Sequence, residues 1–380
     1  MLRVKVVTSN IRGFLKTLFD YKFDNITFIY SDKKIYDIAN KRRSLFAKLI
    51  HMKIFDYLGI FQVVKAKYNN EDIGVTYNRF LKTNKPYLIL SENPSALVNY
   101  CWDRPNHYIT KQRLKKLFRD NKLKNIICLS KTCFNSFGNL YGIEYTDKLK
   151  QIYPLVVDDL NYGNTEVRMK SYSDVLECLF ISSDFYLKGG QDALKVFNTI
   201  YEKYPNIKLT IITKLEQIKE IDIAKYKNVT FLEFNLSRQE LNEYYKKSAI
   251  FINPTRMDSS SLCTLEAMKY GCTLIATDMY AIREMLTNEY NGFMHKPLYD
   301  YWNDDFLPNT KDRKYKEYVL HSGVIDEDLV EWMIQKIIYL YINRNILYEY
   351  CRNSLIRARN EEFSEISVAK KWKKIIEESC

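Results

Sequence analysis

The chain has little of what would cross-link it. Its eight cysteines, Cys101, Cys128, Cys133, Cys178, Cys263, Cys272, Cys351 and Cys380, stand singly, with no Cys-x-x-Cys pair. That excludes a disulfide framework and reads as free thiols, mostly buried, in a reducing compartment. Four widely spaced histidines offer no zinc site. No apolar run reaches the roughly 18–20 residues that span a bilayer, and the Met1 region reads as a short strand rather than a signal peptide. A cytoplasmic protein is expected. Internal repeats, low-complexity segments and the helix-turn-helix, finger or RNA-binding signatures are missing too, which argues against nucleic acid as partner.

Acid is scarce in the first half. Residues 1–150 hold 28 Lys and Arg against 12 Asp and Glu, a balance of +16, whereas residues 151–380 hold 30 against 34, a balance of −4. An N-terminal surface of this sign suits an anionic partner: a phospholipid surface, a phosphate-bearing acceptor, or solvent alone. The basic runs Lys41–Lys53 and Lys111–Lys124 interleave their cations with Leu, Phe and Ile. The first fits either an amphipathic helix on the cytoplasmic face of an anionic membrane or a helix packed on its own sheet.

With 380 residues, 46% of them hydrophobic, two domains are the default. Both halves alternate strand and helix signals. In the first, residues 2–8, 25–30, 87–90 and 125–129 have strand length and composition; in the second, 175–182, 208–212, 229–232, 250–253 and 274–277 do, with helical periodicity at 190–204, 237–248 and 326–359. This α/β alternation predicts parallel sheets in two Rossmann-like domains, with the ligand at the carboxyl ends of the strands in the cleft the domains face. The boundary falls near residue 160. The polar, aromatic-rich stretch 299–321 reads as a peripheral excursion.

One segment names a chemistry. After the strand ending at Asn253 and Pro254, the chain reads Asp258-Ser259-Ser260-Ser261-Leu262, enters a helix containing Glu266, and leaves it at Gly271. The amides of Ser259 to Leu262 are expected at a helix N-terminus, pointing outward at an anion. Two carboxylates separated by seven residues could then engage hydroxyls on either side of a diphosphate, which is the shape of a sugar nucleotide. An ordinary capped helix start explains the same spacing.

The run Leu265-Glu266-Ala267-Met268, Gly271, Glu284-Met285-Leu286 and Asn291-Gly292 resembles the donor signature of retaining glycosyltransferases of family 4, which have the GT-B fold. The resemblance implies that Glu266 holds ribose hydroxyls, Asp258 the hydroxyls of the transferred sugar, and Lys188 the leaving phosphate. It also implies a C-terminal helix, within 363–380, crossing back to a first domain of residues 1–160, the second domain being 161–362. Three departures stand out. Asp258 replaces a Glu and three serines replace a Gly-Phe-Gly; Ser183 replaces an Arg, leaving Arg256 as a candidate second cation. Gly13, after Arg12, matches a donor-facing loop glycine, and Phe234 lies where the nucleobase is expected, with core packing as its other reading. Glu92, at a strand's carboxyl end, is the candidate acceptor-orienting residue, or caps the next turn.

Asp326-Glu327-Asp328 mimics a metal motif but precedes an apolar-periodic helix and reads as its N-cap. No metal and no cofactor beyond the donor, a UDP- or GDP-sugar, is expected. The implied function is metal-independent transfer of a hexose to a glycan or lipid-linked acceptor. A sugar-nucleotide epimerase or phosphorylase of the same fold, and a catalytically weakened binding protein, are the alternatives.

Overall fold

The computed structural model describes residues 1–8, 11, 13–30, 52–61, 63–101, 103–309, 318–319, 323–360 and 362–380. Arg12 and nearly all of the basic run Lys41–Lys53 lie outside them.

The chain divides into two compact units. Unit 1 comprises Met1–Leu155, Asp304–Pro308 and Glu365–Cys380; unit 2 comprises Val156–Asn303 and Asn309–Ser364. Unit 1 holds β1 (Leu2–Val7), β2 (Ile26–Ile29), β3 (Val63–Lys65), β4 (Ile73–Tyr77), β5 (Phe80–Lys82), β6 (Tyr87–Ser91), β7 (Leu123–Cys128) and β8 (Leu149–Gln151). Six form a parallel sheet in the order β2-β1-β4-β6-β7-β8, and β3 pairs with β5. Strand β6 is buried along its whole length, as a central parallel strand with both faces covered must be. Strand β4 lies at the sheet's centre yet carries little strand signal, because Gly74 interrupts its short apolar run. A Cβ there would sit 2.0 Å from the Tyr68 hydroxyl, so the glycine makes room for that ring.

Unit 2 holds β9 (Leu176–Ser182), β10 (Ile207–Thr213), β11 (Val229–Glu233), β12 (Ile250–Asn253), β13 (Thr273–Thr277) and β14 (Gly292–His295), all parallel, in the order β11-β10-β9-β12-β13-β14. Counted within the unit this is 3-2-1-4-5-6, the doubly wound arrangement in which the strand order reverses between the first and fourth strands. β9 pairs with β10 over seven residues, but with β12 only at Ile250↔Cys178 and Phe251↔Leu179. Beyond those residues β9 and β12 are not paired, and their carboxyl ends form the switch point at which doubly wound sheets have their crevice.

The helix Glu365–Glu378 belongs to unit 1. Its Val368, Trp372, Ile375 and Ile376 are buried, and Ser379 Oγ donates to Asn125 Oδ1 at 3.4 Å. Trp372 is among the largest fully buried side chains. Trp372→Ala should cost about 3–5 kcal/mol of stability, read as a lowered denaturant midpoint. An unchanged midpoint would show that the helix does not contribute to the cooperative core.

Candidate functional site

The β9–β12 crevice is walled by the loops that follow the two strands. After β9 the chain turns through Ser183–Gly189. Gly189 adopts φ +74°, and a Cβ on it would lie 2.1 Å from the Pro254 carbonyl oxygen. Only a glycine lets this loop close onto the end of β12. The Arg256 N–H donates to the Leu187 carbonyl at 3.2 Å, tying the loops together. Lys188 is thereby delivered to Asp258: its Nζ lies 2.8 Å from Asp258 Oδ2 and donates to the Met257 carbonyl at 2.6 Å. Two of three ammonium donors are used, which leaves one for a ligand oxygen.

The amide cradle differs from expectation. The N–H groups of Ser259, Ser260 and Ser261 do not point outward at an external anion; they donate to Asp258 Oδ1 at 2.8, 3.3 and 3.0 Å. The carboxylate folds back onto its own loop. Burial pushes the Asp258 pKa up, but the Lys188 charge and hydrogen bond, with the amides of Ser261 and Ser259, outweigh it and hold the group below the usual carboxylate range. Leu262 opens the helix Leu262–Lys269. Before it, Ser261 has left-handed backbone, φ +33°, where a side chain costs on the order of 1 kcal/mol or more. Its buried hydroxyl compensates by accepting from Asn253 Nδ2 at 2.8 Å and lying 2.7 Å from Thr264 Oγ1. A glycine is the residue this backbone favours, and the resemblance places one there.

Glu266 lies on the buried face of that helix. Its Oε1 accepts from Arg238 Nη1 at 2.6 Å and its Oε2 from the Tyr245 hydroxyl at 2.9 Å. Neither partner was singled out from the sequence. Arg238 opens the helix Arg238–Lys247, behind the capping box of Ser237 and Glu240; that box marks the helix start, but nothing local says the first side chain reaches a carboxylate in another helix. Burial, then Cys263 and Glu266, raise the Tyr245 pKa well above its ordinary value, so Tyr245 stays a donor. Cys263 is pushed up to about 12 by burial and by Glu266, and stays a thiol at neutral pH.

Arg256 is not a second cation in the crevice. It is buried, its Nη2 bonded to both Asp192 oxygens at 3.0 and 2.8 Å and to the Val324 carbonyl, its Nη1 to the Val319 carbonyl at 3.1 Å. Asp192 is pushed up to about 6 by burial, which Arg256 and the Asp326 N–H only partly oppose. Phe234 follows β11 and is 42% exposed, so core packing does not account for it. The stretch 299–321 is not wholly peripheral: buried Trp302 donates its Nε1–H to the Asp258 carbonyl at 2.9 Å and packs on Tyr280 with ring centroids 4.3 Å apart. Asn291 bonds the Thr287 N–H and the Met285 carbonyl across the turn before β14. Asp326 Oδ1 accepts from the Leu329 N–H, the N-cap geometry.

In unit 1, Gly13 starts the helix Gly13–Asp20, with open space where a Cβ would be. Glu92 is buried beyond β6, accepting from the Tyr77 hydroxyl at 2.6 Å and the Tyr100 hydroxyl at 2.8 Å. Among the described residues no group of three or more His, Cys, Asp or Glu is placed to hold a metal ion, and no helix is long and apolar enough to cross a membrane.

Two parallel-sheet Rossmann-like units with helices define the α/β fold of the GT-B glycosyltransferases, and solved structures of that class superpose on the full chain. WaaG, a glycosyltransferase involved in lipopolysaccharide biosynthesis, does so with a TM-score of 0.62 at 11% identity over 99% of each chain. Anabaena Alr3699/HepE, solved with UDP, gives 0.58 at 10% identity over 100% of each. Residues 176–300 match the family described as glycosyl transferases group 1. An uncharacterized glycosyltransferase of Haemophilus influenzae is 26% identical over 113 residues, which are 29% of this chain and 32% of that protein; the chain thus matches about a third of that relative's length.

Two outcomes test the geometry. Asp258 has a lowered pKa, so its contribution to stability is present above the ordinary carboxylate range and is lost as pH falls through its folded value. Asp258→Asn should flatten the acid side of a stability-against-pH profile between about pH 5 and pH 2; an unchanged slope would mean that the Lys188 pairing contributes nothing. Arg256→Met strands a buried carboxylate and should cost about 3–5 kcal/mol in a denaturant melt, with much of it regained in Arg256→Met/Asp192→Leu. A single variant as stable as wild type would contradict a structural role.

Proposed function

We propose that the chain is a retaining glycosyltransferase that moves a hexose from a UDP- or GDP-sugar to a glycan or lipid-linked acceptor. The match of residues 176–300 and the GT-B fold support a sugar transferase; UDP in the Anabaena neighbour supports a nucleotide donor. The observation that carries the reading is the Lys188 ammonium, held at the β9–β12 switch point with one donor uncommitted. There it stabilises the leaving diphosphate as charge develops, together with the start of the helix at Leu262, so that no divalent metal is needed.

Glu266 takes the ribose. Each of its oxygens accepts one hydrogen bond and has a second lone pair for a hydroxyl. The exposed Phe234 ring is the assigned neighbour of the base. Asp258 is assigned the sugar, through the lone pair that Oδ2 keeps beside Lys188, since Oδ1 is taken up by the three amides. Gly13 and Glu92 are assigned to donor loop and acceptor; the two tyrosines on Glu92 orient its carboxylate. The Cys263 thiol, half-buried and protonated at neutral pH, is a poor nucleophile, which suits attack by the acceptor on the face from which the diphosphate leaves.

One feature favours the alternative of a weakened, binding-only protein: Asp258 already satisfies the loop amides, and Arg238 already neutralises Glu266. Release of nucleotide diphosphate from a panel of UDP-, GDP- and ADP-sugars separates the two. Turnover is expected with at least one donor and should persist in EDTA. Lys188→Ala should lower kcat by about 10²–10³-fold, whereas Glu266→Ala should chiefly weaken donor binding, by about 10-fold or more. Release unchanged in both variants would defeat the assignment, and no release or binding with any donor would favour the binding protein.

A further inference from the structure

The helix Tyr108–Phe118 in unit 1 has two unlike faces. Thr110, Leu114 and Phe118, four residues apart, are buried, Phe118 packing on Phe80 and Tyr145 at ring-centroid distances of 5.4 and 4.6 Å. No acidic residue stands between Asp103 and Asp120, while Lys111, Arg113, Lys115, Lys116 and Arg119 do. At the start of this cationic helix two large apolar side chains face solvent, Tyr108 at 76% and Ile109 at 48% exposure.

The short helix Lys53–Tyr57 lies against it. Ile54, Tyr57 and Leu58, at i, i+3 and i+4, share one side, and they are 56%, 60% and 45% exposed. These residues are not on a frayed end. The fully buried Arg104 bonds Asp56 Oδ1 at 2.8 Å and the Ile60 carbonyl at 2.6 Å, and Thr110 Oγ1 donates to the Asp56 carbonyl at 2.9 Å. Arg113 Nη1 donates to the Leu58 carbonyl at 3.4 Å, and the Tyr57 and His107 rings lie 4.2 Å apart. Gly59, at φ +61°, lets the turn approach to where a Cβ would be 2.9 Å from Thr110 Cα. The ion pair, hydrogen bonds and close backbone contact hold Ile54, Tyr57 and Leu58 beside a helix that carries cations of one sign and exposes Tyr108 and Ile109 itself.

We propose that this face docks on an anionic phospholipid bilayer. Ile54, Tyr57, Leu58, Tyr108 and Ile109 enter the headgroup boundary, and Lys111, Lys115 and Lys116 meet lipid phosphates while their stems cover apolar surface. Charge alone would suit any polyanion; rigid aliphatic groups among the cations favour a surface with an apolar interior, because they gain nothing from a fully hydrated polymer. The inference lies wholly in unit 1 and does not rest on the donor site.

Co-sedimentation of the full chain with vesicles tests it. Binding is expected to phosphatidylcholine vesicles containing phosphatidylglycerol and to be about ten-fold or more weaker on phosphatidylcholine alone. Tyr57→Ser/Tyr108→Ser/Ile109→Ser and Lys115→Glu/Lys116→Glu should each lose about ten-fold or more, with nucleotide-sugar turnover or binding in solution unchanged. Should the triple variant unfold, Tyr108→Ser alone, at the most exposed position, should still weaken vesicle binding measurably. No binding to anionic vesicles would overturn the proposal, as would serine variants that bind as wild type. Single-stranded DNA held as tightly as anionic vesicles, by wild type and serine variants alike, would overturn it in favour of a nucleic-acid surface.

Discussion

Unit 2 depends on a strand pair that stops early. β9 and β12 share only two paired residues before they diverge, and helices on opposite faces of a doubly wound sheet leave that point uncovered. Lys188 and Asp258 are positioned by the divergence. It sets the loop after β9 against the loop after β12, and it makes a glycine obligatory at 189, where a side chain would collide with the Pro254 carbonyl. It also brings Lys188, Asp258 and the start of the helix Leu262–Lys269 into one neighbourhood.

Charge in this unit is matched pair by pair. Asp258 has Lys188 and three amides, Glu266 has Arg238 and Tyr245, and Asp192 has Arg256. The pairs do different work. Arg256 and Asp192 are both nearly inaccessible, and a buried pair of this kind holds geometry at a desolvation cost that its attraction only roughly offsets. Lys188 and Arg238 are partly exposed, 24% and 49% by side chain, and can exchange a protein carboxylate for a ligand oxygen without burying a new charge. Partial exposure separates these two cations from the structural Arg256, although all three look alike in the sequence.

Five strands of unit 2, β9 to β13, were legible, the inner ones because parallel strands buried on both faces read as continuous apolar runs; the short edge strand β14 was not read. The expected and observed limits of β9, β10, β11, β12 and β13 differ by no more than a residue or two. Short strands carrying glycine or lysine, such as β3, β4 and β8, were not legible: long-range pairing stabilises them more than local composition does. Trp302 was missed for a related reason. It lies 44 residues beyond Asp258 in a polar stretch, and its indole reaches the Asp258 carbonyl only once the unit is folded.

Local chemistry was readable where a residue's role is set by its neighbours in the chain. Asp326 as an N-cap, the α/β alternation, the loop between β12 and its helix, and the cationic first half all follow from spacing and composition. Where roles are set by partners far along the chain, tertiary structure decided. It turned Asp258 onto its own loop amides, buried Arg256 against Asp192 instead of leaving it in the crevice, set Arg238 on Glu266, and fixed Ser261 in a left-handed backbone that Asn253 and Thr264 stabilise. The physical reason is the range of each constraint. Hydrophobic periodicity and capping act over a few residues and are written in order along the chain, whereas an ionised side chain settles on whichever partner the packed sheets bring within about 3 Å, and that partner has no fixed sequence distance.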